Sequence, residues 1–281
     1  KENIVRWKQL LVYAKSMDPG EAKAYISKHK EDTYTLLDVR QPSEYEEEHI
    51  AGATLIPLTE LPEQFRKLNP ELPTLVYCKV GSRSRVASQF LVGQGFKEVY
   101  CLKGGIFAWN GGMAAGTIES GMDFLKGDES AEEIIILAYG MEDGLGSFYK
   151  AMAKEHKDEE TTALLEKLGT VEDTHKLKLF QIFKKLNSSV NDQKEFEKGI
   201  VSQAMEGGLT TEEFVNRHRN SLETVGDVIT TAMVIETQAL DLYMRYAKIL
   251  TDNESKTILH GLAEEEKRHL KELGKLLDKQ Q

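Results

Sequence analysis

The chain reads as two architectures in succession, an α/β parallel-sheet domain followed by an all-α four-helix bundle. Three observations predict this. Short apolar runs alternate with helical patterns over roughly the first hundred residues, the signature of a mostly parallel sheet covered on both faces. A glycine-rich stretch holding Gly111, Gly112, Gly116, Gly121 and Gly127 then ends the alternation. Beyond it proline is absent, long helical periodicities take over, and a set of charged residues recurs at an offset of 94 residues.

Composition sets the bounds. The 281 residues suffice for two domains, each with its own core. Hydrophobic and charged fractions of 40% and 29% are those of an ordinary water-soluble chain. With 46 acidic against 36 basic residues the net charge is −10, which argues against nucleic acid or an anionic membrane as partner. No apolar run approaches a membrane span, and Leu10-Leu11-Val12-Tyr13-Ala14 is too short for a signal peptide. Two cysteines suggest a reducing compartment, so a cytoplasmic location is expected.

Residues 1–16 place Ile4, Trp7, Leu10, Leu11 and Ala14 at helical spacing, so an amphipathic N-terminal helix is expected. Asp18-Pro19-Gly20 opens a short helix through Ala22, Tyr25 and Ile26. Thr33 to Val39 reads as a buried strand, followed by a helical turn at Ser43-Glu44-Tyr45 and a short strand, Thr54 to Pro57. A helix is expected from Leu61 to Leu68, then the strand Thr74-Leu75-Val76-Tyr77. A helical pattern from Val86 to Leu91 and a strand from Glu98 to Leu102 complete the domain.

The strand ending at Tyr77 delivers Cys78 into the polar loop Lys79-Val80-Gly81-Ser82-Arg83-Ser84, just before a helix. Backbone N–H groups and the positive end of a helix dipole therefore converge on one sulfur, at the strand ends where α/β sheets bind ligands. A free thiol near pKa 8.5 is only about 3% ionised at pH 7. A depression of about two units makes it roughly three-quarters thiolate and takes about 2.7 kcal/mol. Loop donors with nearby Arg83 and Arg85 can supply that. Cys101 falls within a strand pattern and reads as a core cysteine; a resolving thiol is the alternative, with nothing placing it near Cys78.

Leu37-Asp38-Val39-Arg40, Glu44-Tyr45, His49-Ile50-Ala51-Gly52-Ala53, the Cys78 loop, Gly95-Phe96 and Leu102-Lys103-Gly104-Gly105 through Trp109 together resemble a single-domain rhodanese. The resemblance implies a sulfurtransferase whose Cys78 attacks a sulfane-sulfur donor, carries a persulfide and passes sulfur to a thiol acceptor. It implies a cradle of Lys79, Val80, Gly81, Ser82 and Ser84 closed by Arg83, with Asp38 and Arg40 as scaffold. Four residues separate Cys78 from Arg83, as in sulfur-transferring members; the related phosphatases and arsenate reductases carry one more.

In the second half, long helices are expected over about 129–156, 159–187, 221–250 and 254–278, with one long crossover through 188–220, as in a four-helix bundle. Glu142, Tyr149, Glu172 and His175 recur as Glu236, Tyr243, Glu266 and His269, each 94 residues on. Within each half 30 residues separate the glutamates, and a turn near Lys157-Asp158 or Thr251-Asp252-Asn253 divides that interval. Each arm then spans roughly 21–23 Å, which returns both glutamates to one level of the bundle. Glu172/His175 and Glu266/His269 stand at i,i+3 and share a helix face.

Four buried carboxylates without a cation would repel and suffer heavy desolvation. Two divalent metals resolve this, and carboxylate with imidazole suits iron or manganese. Tyr149 and Tyr243, two turns beyond their glutamates, are better neighbours of the ligands or core residues than ligands. His29, His49, His156, His218 and His260 have no comparable partners and read as surface or structural.

This constellation resembles the rubrerythrin-like branch of the ferritin-like bundles, over about 130–279. The resemblance implies two iron ions (manganese or zinc as isolated metals), reaction with peroxide or dioxygen, an external electron donor and a homodimer. Met233 stands where that branch carries a further glutamate, and no paired Cys-x-x-Cys motif is present. The expected organisation is an N-terminal helix at 1–16, a rhodanese-like domain at 17–115, a linker at 116–129 and a ferritin-like bundle at 130–281. The alternatives to two enzymatic sites are iron handling by ferroxidase chemistry, or a redox-sensing binding protein.

Overall fold

The computed structural model of the chain describes residues 14–120, 122, 127–155, 157–190, 192–198 and 224–279. It divides into two compact units, Lys1–Ile118 and Glu119–Gln281.

The first unit is built on a five-stranded sheet, in which β1 (Lys15–Met17), β2 (Thr35–Asp38), β4 (Thr54–Leu55), β5 (Thr74–Tyr77) and β6 (Val99–Leu102) run in the order β1-β6-β5-β2-β4. All four neighbour pairs are parallel, with Leu37 opposite Val76 and Val76 opposite Cys101. Side chains alternate across the sheet and feed two cores. Leu36, Leu75, Tyr77 and Leu102 face one, with Tyr45 and Ile106; Leu37, Val76 and Cys78 face the other, with Ala87 and Leu91.

Helices α1 (Pro19–Lys28), α2 (Pro42–Glu47), α3 (Leu61–Gln64) and α4 (Ser82–Gly93) link the strands. Asp18 and Glu21 form a reciprocal capping box and Pro19 occupies the first turn, which fixes where α1 starts. A two-residue strand β3 (His49–Ile50) pairs antiparallel with β7 (Met113–Ala114).

Three expectations need correction. The helix expected at 1–16 falls mostly outside the described residues, and where it enters them Lys15–Met17 is a strand paired with β6. Its two exposed residues and one buried residue form an edge, for which helical spacing upstream is no guide. The helix expected from Leu61 to Leu68 is a short α-helix ending at Gln64, followed by a 3₁₀ turn, Phe65–Lys67. The strand expected over Thr54 to Pro57 pairs only through Leu55.

The second unit is helical. Its long helices are α5 (Ala131–Glu155), α6 (Glu159–Leu186), α8 (Val225–Ile249) and α9 (Asn253–Asp278), with a short α7 (Gln193–Glu197) in the crossover. The helices pack as two hairpins, α5 with α6 and α8 with α9, and the hairpins meet through α5–α9 and α6–α8. The repeat extends to the turns. Asp158 caps α6 through the Thr161 N–H at 2.8 Å, and Asp252 caps α9 through the Ser255 N–H at 2.7 Å. Leu145, Phe148, Tyr149, Leu165, Ile235 and Leu273 share one apolar core. Among the described residues no helix is long and apolar enough to cross a membrane.

Candidate functional site

Cys78 follows β5 directly and is fully buried. Gly81 holds φ at +99°, a left-handed conformation that side chains disfavour, and so turns its N–H onto the Cys78 sulfur at 3.1 Å. The buried Ser84 hydroxyl lies 3.5 Å from the same sulfur. Burial alone pushes the thiol pKa up. The Ser84 hydroxyl and the N–H groups of Ser84, Gly81 and Val80 outweigh it, and the net direction is down. Lys79, Val80 and Ser82 present exposed side chains, so the cradle around the sulfur is made largely of backbone.

Arg83 was expected to close that cradle. Its guanidinium donates two hydrogen bonds to Glu44, at 2.6 and 2.7 Å, and also interacts with the Cys78 sulfur, whose charge and hydrogen bonding add to those of Glu44 in raising the Arg83 pKa. Glu44 is held down to about 2, first by those hydrogen bonds, against a smaller upward push from burial. Glu44 thus belongs to the site, although it lies 39 residues before Arg83. The other added member is Cys101, read from sequence as a core cysteine with nothing placing it near Cys78; its sulfur is 3.3 Å from the Ser84 hydroxyl. One serine therefore touches both sulfurs. The pairing of Cys101 with Val76, two residues before Cys78, is the register that brings this about.

The loop rests on a buried scaffold. Arg40 donates to both carboxylate oxygens of Asp38 at 2.7–3.0 Å and to the Glu48 carbonyl at 2.6 Å. Gly105 passes so close beneath the loop that a Cβ there would stand 2.1 Å from the Cys78 carbonyl oxygen.

In the second unit the helices gather two triads, buried except for the half-buried His269. Potential ligand atoms of Glu142, Glu172 and His175 lie within 4.8 Å of one another, as do those of Glu236, Glu266 and His269. His175 Nδ1 contacts Glu172 at 2.7 Å and Glu142 at 3.3 Å; His269 Nδ1 contacts Glu266 at 2.9 Å and Glu236 at 3.5 Å. The two imidazoles stack, centroids 4.1 Å apart and planes 11° from parallel, so the triads adjoin.

Burial, then the Glu142 carboxylate, drives the Glu172 carboxyl well above its usual range. For Glu236, burial is outweighed by hydrogen bonds from Glu266 and His269 and by the imidazole charges, and the direction is down. Hard oxygen donors with two imidazoles are a donor set that fits a pair of divalent cations. Tyr149 and Tyr243 are both buried, and Met233 packs on the apolar core. Of the remaining histidines, His49 is buried and stacked on Tyr45, while His156 and His218 lie outside the described residues.

Residues 18–111 match the rhodanese-like domain. The chain belongs to the rhodanese family. Over 80 residues it is 46% identical to the thiosulfate sulfurtransferase GlpE of Coxiella burnetii, covering 28% of this chain and 75% of that protein. The thiosulfate sulfurtransferase GlpE of Pseudomonas putida is 31% identical over 105 residues, 37% of this chain and 93% of the relative. A rhodanese-related protein of known structure from Thermoplasma volcanium is 34% identical, with a TM-score of 0.31, over 34% of this chain and 89% of its own.

Proposed function

We propose that the chain is a two-site enzyme, with a sulfurtransferase site at Cys78 and a di-metal redox site in the helical unit. The observation that carries the first assignment is the set of hydrogen-bond donors converging on one buried sulfur in a chain similar to proteins named thiosulfate sulfurtransferase. The Cys78 thiolate attacks the outer sulfur of a sulfane donor such as thiosulfate. The sulfur–sulfur bond breaks, sulfite departs with the bonding pair, and Cys78 holds a persulfide. An acceptor thiolate then attacks the outer sulfur and Cys78 leaves as thiolate, stabilised by the Gly81, Val80 and Ser84 donors. Purified protein is expected to move sulfur from thiosulfate to cyanide, and Cys78→Ser to abolish it. A Cys78→Ser protein that keeps the rate overturns the assignment.

For the helical unit the reading is a rubrerythrin-like member of the ferritin-like bundles, holding two iron ions through Glu142, Glu172, His175, Glu236, Glu266 and His269. What supports it is the adjoining pair of Glu-Glu-His triads. Iron bound there supplies electron-transfer chemistry towards peroxide or dioxygen. The chain's own part is to orient six donors, five of them buried and His269 half-buried, beside an apolar core that limits water. Met233 leaves α8 with the single donor Glu236 at this level, and the lack of Cys-x-x-Cys pairs means electrons come from outside the chain. Anaerobic titration with ferrous iron is expected to saturate at two ions per chain. Saturation well below that removes the assignment. Stopped-flow consumption of peroxide and of dioxygen, with and without reductant, separates peroxidase chemistry from iron handling.

A further inference from the structure

The exposed apolar side chains of the sheet unit gather around the mouth of the Cys78 loop. Phe107 is 83% exposed, Val80 59% and Val86 58%; Ile118, at the end of the unit, is the one other large apolar side chain comparably exposed among its described residues. The Phe107 N–H donates to the Lys79 carbonyl at 3.1 Å and the Ile106 N–H to the Cys78 carbonyl at 2.8 Å, which fixes this turn against the loop. Val86 follows Ser82 by one turn and shares its exposed face of α4. Lys79, Arg85 and Lys103 are exposed on the same segments, which contain no carboxylate. Glu44, the acid found at the site, is already engaged by Arg83. On a chain of net charge −10, this rim has the opposite sign to the whole.

A small thiol or anion has no use for such a rim. Cys78 itself is fully buried, so an acceptor reaches the outer persulfide sulfur, about 2 Å beyond Sγ, and a large acceptor must find its contacts on the surrounding side chains. Resting on the sulfurtransferase reading, we infer that the acceptor is a cysteine of a second protein, carried on an acidic segment with apolar residues beside the cysteine. Phe107, Val80 and Val86 take the apolar residues, and Lys79, Arg85 and Lys103 the carboxylates. The acceptor thiol loses its proton to solvent, its thiolate bonds to the outer sulfur, and the bond to Cys78 Sγ breaks with both electrons staying on Cys78. Sulfur passes at unchanged oxidation level, so no further oxidant or reductant enters.

The test uses the full chain, charged with thiosulfate, and two synthetic peptides. Each carries one cysteine flanked by leucines; one adds glutamates, the other lysines. The acidic peptide is expected to accept sulfur with kcat/KM about tenfold above the basic one. Phe107→Ser and Lys103→Glu are each expected to lower the acidic-peptide kcat/KM about five- to tenfold, while transfer to cyanide stays within about twofold. Equal rates for the two peptides, or variants that slow peptide and cyanide alike, overturn the docking surface and leave the sulfurtransferase reading standing. Binding of the acidic peptide with serine in place of cysteine decides the surface without chemistry. Retained binding with no sulfur transfer to cyanide sinks the sulfurtransferase reading alone. Binding to phosphatidylserine vesicles that Phe107→Ser weakens, with no peptide binding, identifies a membrane as the occupant and overturns the proposal.

Discussion

Arg83 and Glu44 form a two-pronged pair at the Cys78 loop, with hydrogen bonds of 2.6 and 2.7 Å to the two carboxylate oxygens. Both side chains remain partly exposed, at 30% and 23%. An internal carboxylate therefore occupies the guanidinium face that an anionic donor would otherwise use, and the two compete.

Glu44→Gln weakens that competition. It is expected to lower KM for thiosulfate about three- to tenfold with little change in kcat, because it alters donor binding and not bond breaking. Steady-state kinetics with thiosulfate as the varied substrate checks this. An unchanged or raised KM shows that Glu44 supports Arg83 instead of masking it.

The same pair makes stability depend on pH. The Glu44 carboxyl sits at about 2, below the unfolded value near 4.3, so its contribution is full above that value and is lost as pH falls from about 4 to 2. Solvent screening of two partly exposed groups limits it to about 1 kcal/mol. Thermal melts of wild type and Glu44→Gln are expected to differ at pH 7 and to converge near pH 2. A gap that persists in acid points to lost packing.

The Ser84 hydroxyl, between the sulfurs of Cys78 and Cys101, is one of the groups that draw the Cys78 thiol downward. The pH profile of iodoacetamide alkylation is expected to turn at lower pH than that of a free cysteine, and Ser84→Ala to move that inflection upward. An inflection unmoved in Ser84→Ala assigns the stabilisation to the backbone N–H groups.

These contacts mark where reading from sequence stops. The strand-loop-helix around Cys78 is legible because an apolar run, a glycine and a helical pattern are adjacent in the chain. The two triads are legible because helical rise and a 94-residue repeat fix levels and faces over long distances. Glu44 was visible in a helical turn and in the rhodanese-like motif, but its partner was not, because Arg83 lies 39 residues away on another helix. Cys101 reads as core because strand alternation gives its face but not the neighbour across it; the β5–β6 register supplies that. The β1 edge strand is three residues long and gains its identity from β6, too little for any local pattern to reveal.

Asp38 and Arg40 are both buried, and Asp38 stands opposite Tyr77, the residue before Cys78. Asp38→Ala leaves a guanidinium uncompensated in the interior and is expected to destabilise the sheet unit by about 3–5 kcal/mol. The double variant Asp38→Ala/Arg40→Met removes the stranded charge and is expected to recover part of that loss. Urea denaturation of the three proteins checks it; additive losses mean the two residues act independently.

Glu172 sets metal binding against stability. Its carboxyl is driven up first by burial and then by the Glu142 charge, so in metal-free protein the ionised triad opposes folding. Glu172→Gln keeps the shape and removes the charge, and is expected to stabilise the metal-free helical unit by about 1–2 kcal/mol. Wild type regains the advantage once a divalent cation binds, since a ligand at a hundred times its Kd contributes about 2.7 kcal/mol. The order of melting temperatures should therefore reverse on adding ferrous or manganous ion, and the variant should bind about one ion fewer per chain. A variant less stable than wild type without metal would mean that Glu172 is satisfied by its His175 and Glu142 contacts alone, and that the carboxylate cluster needs no cation to hold it.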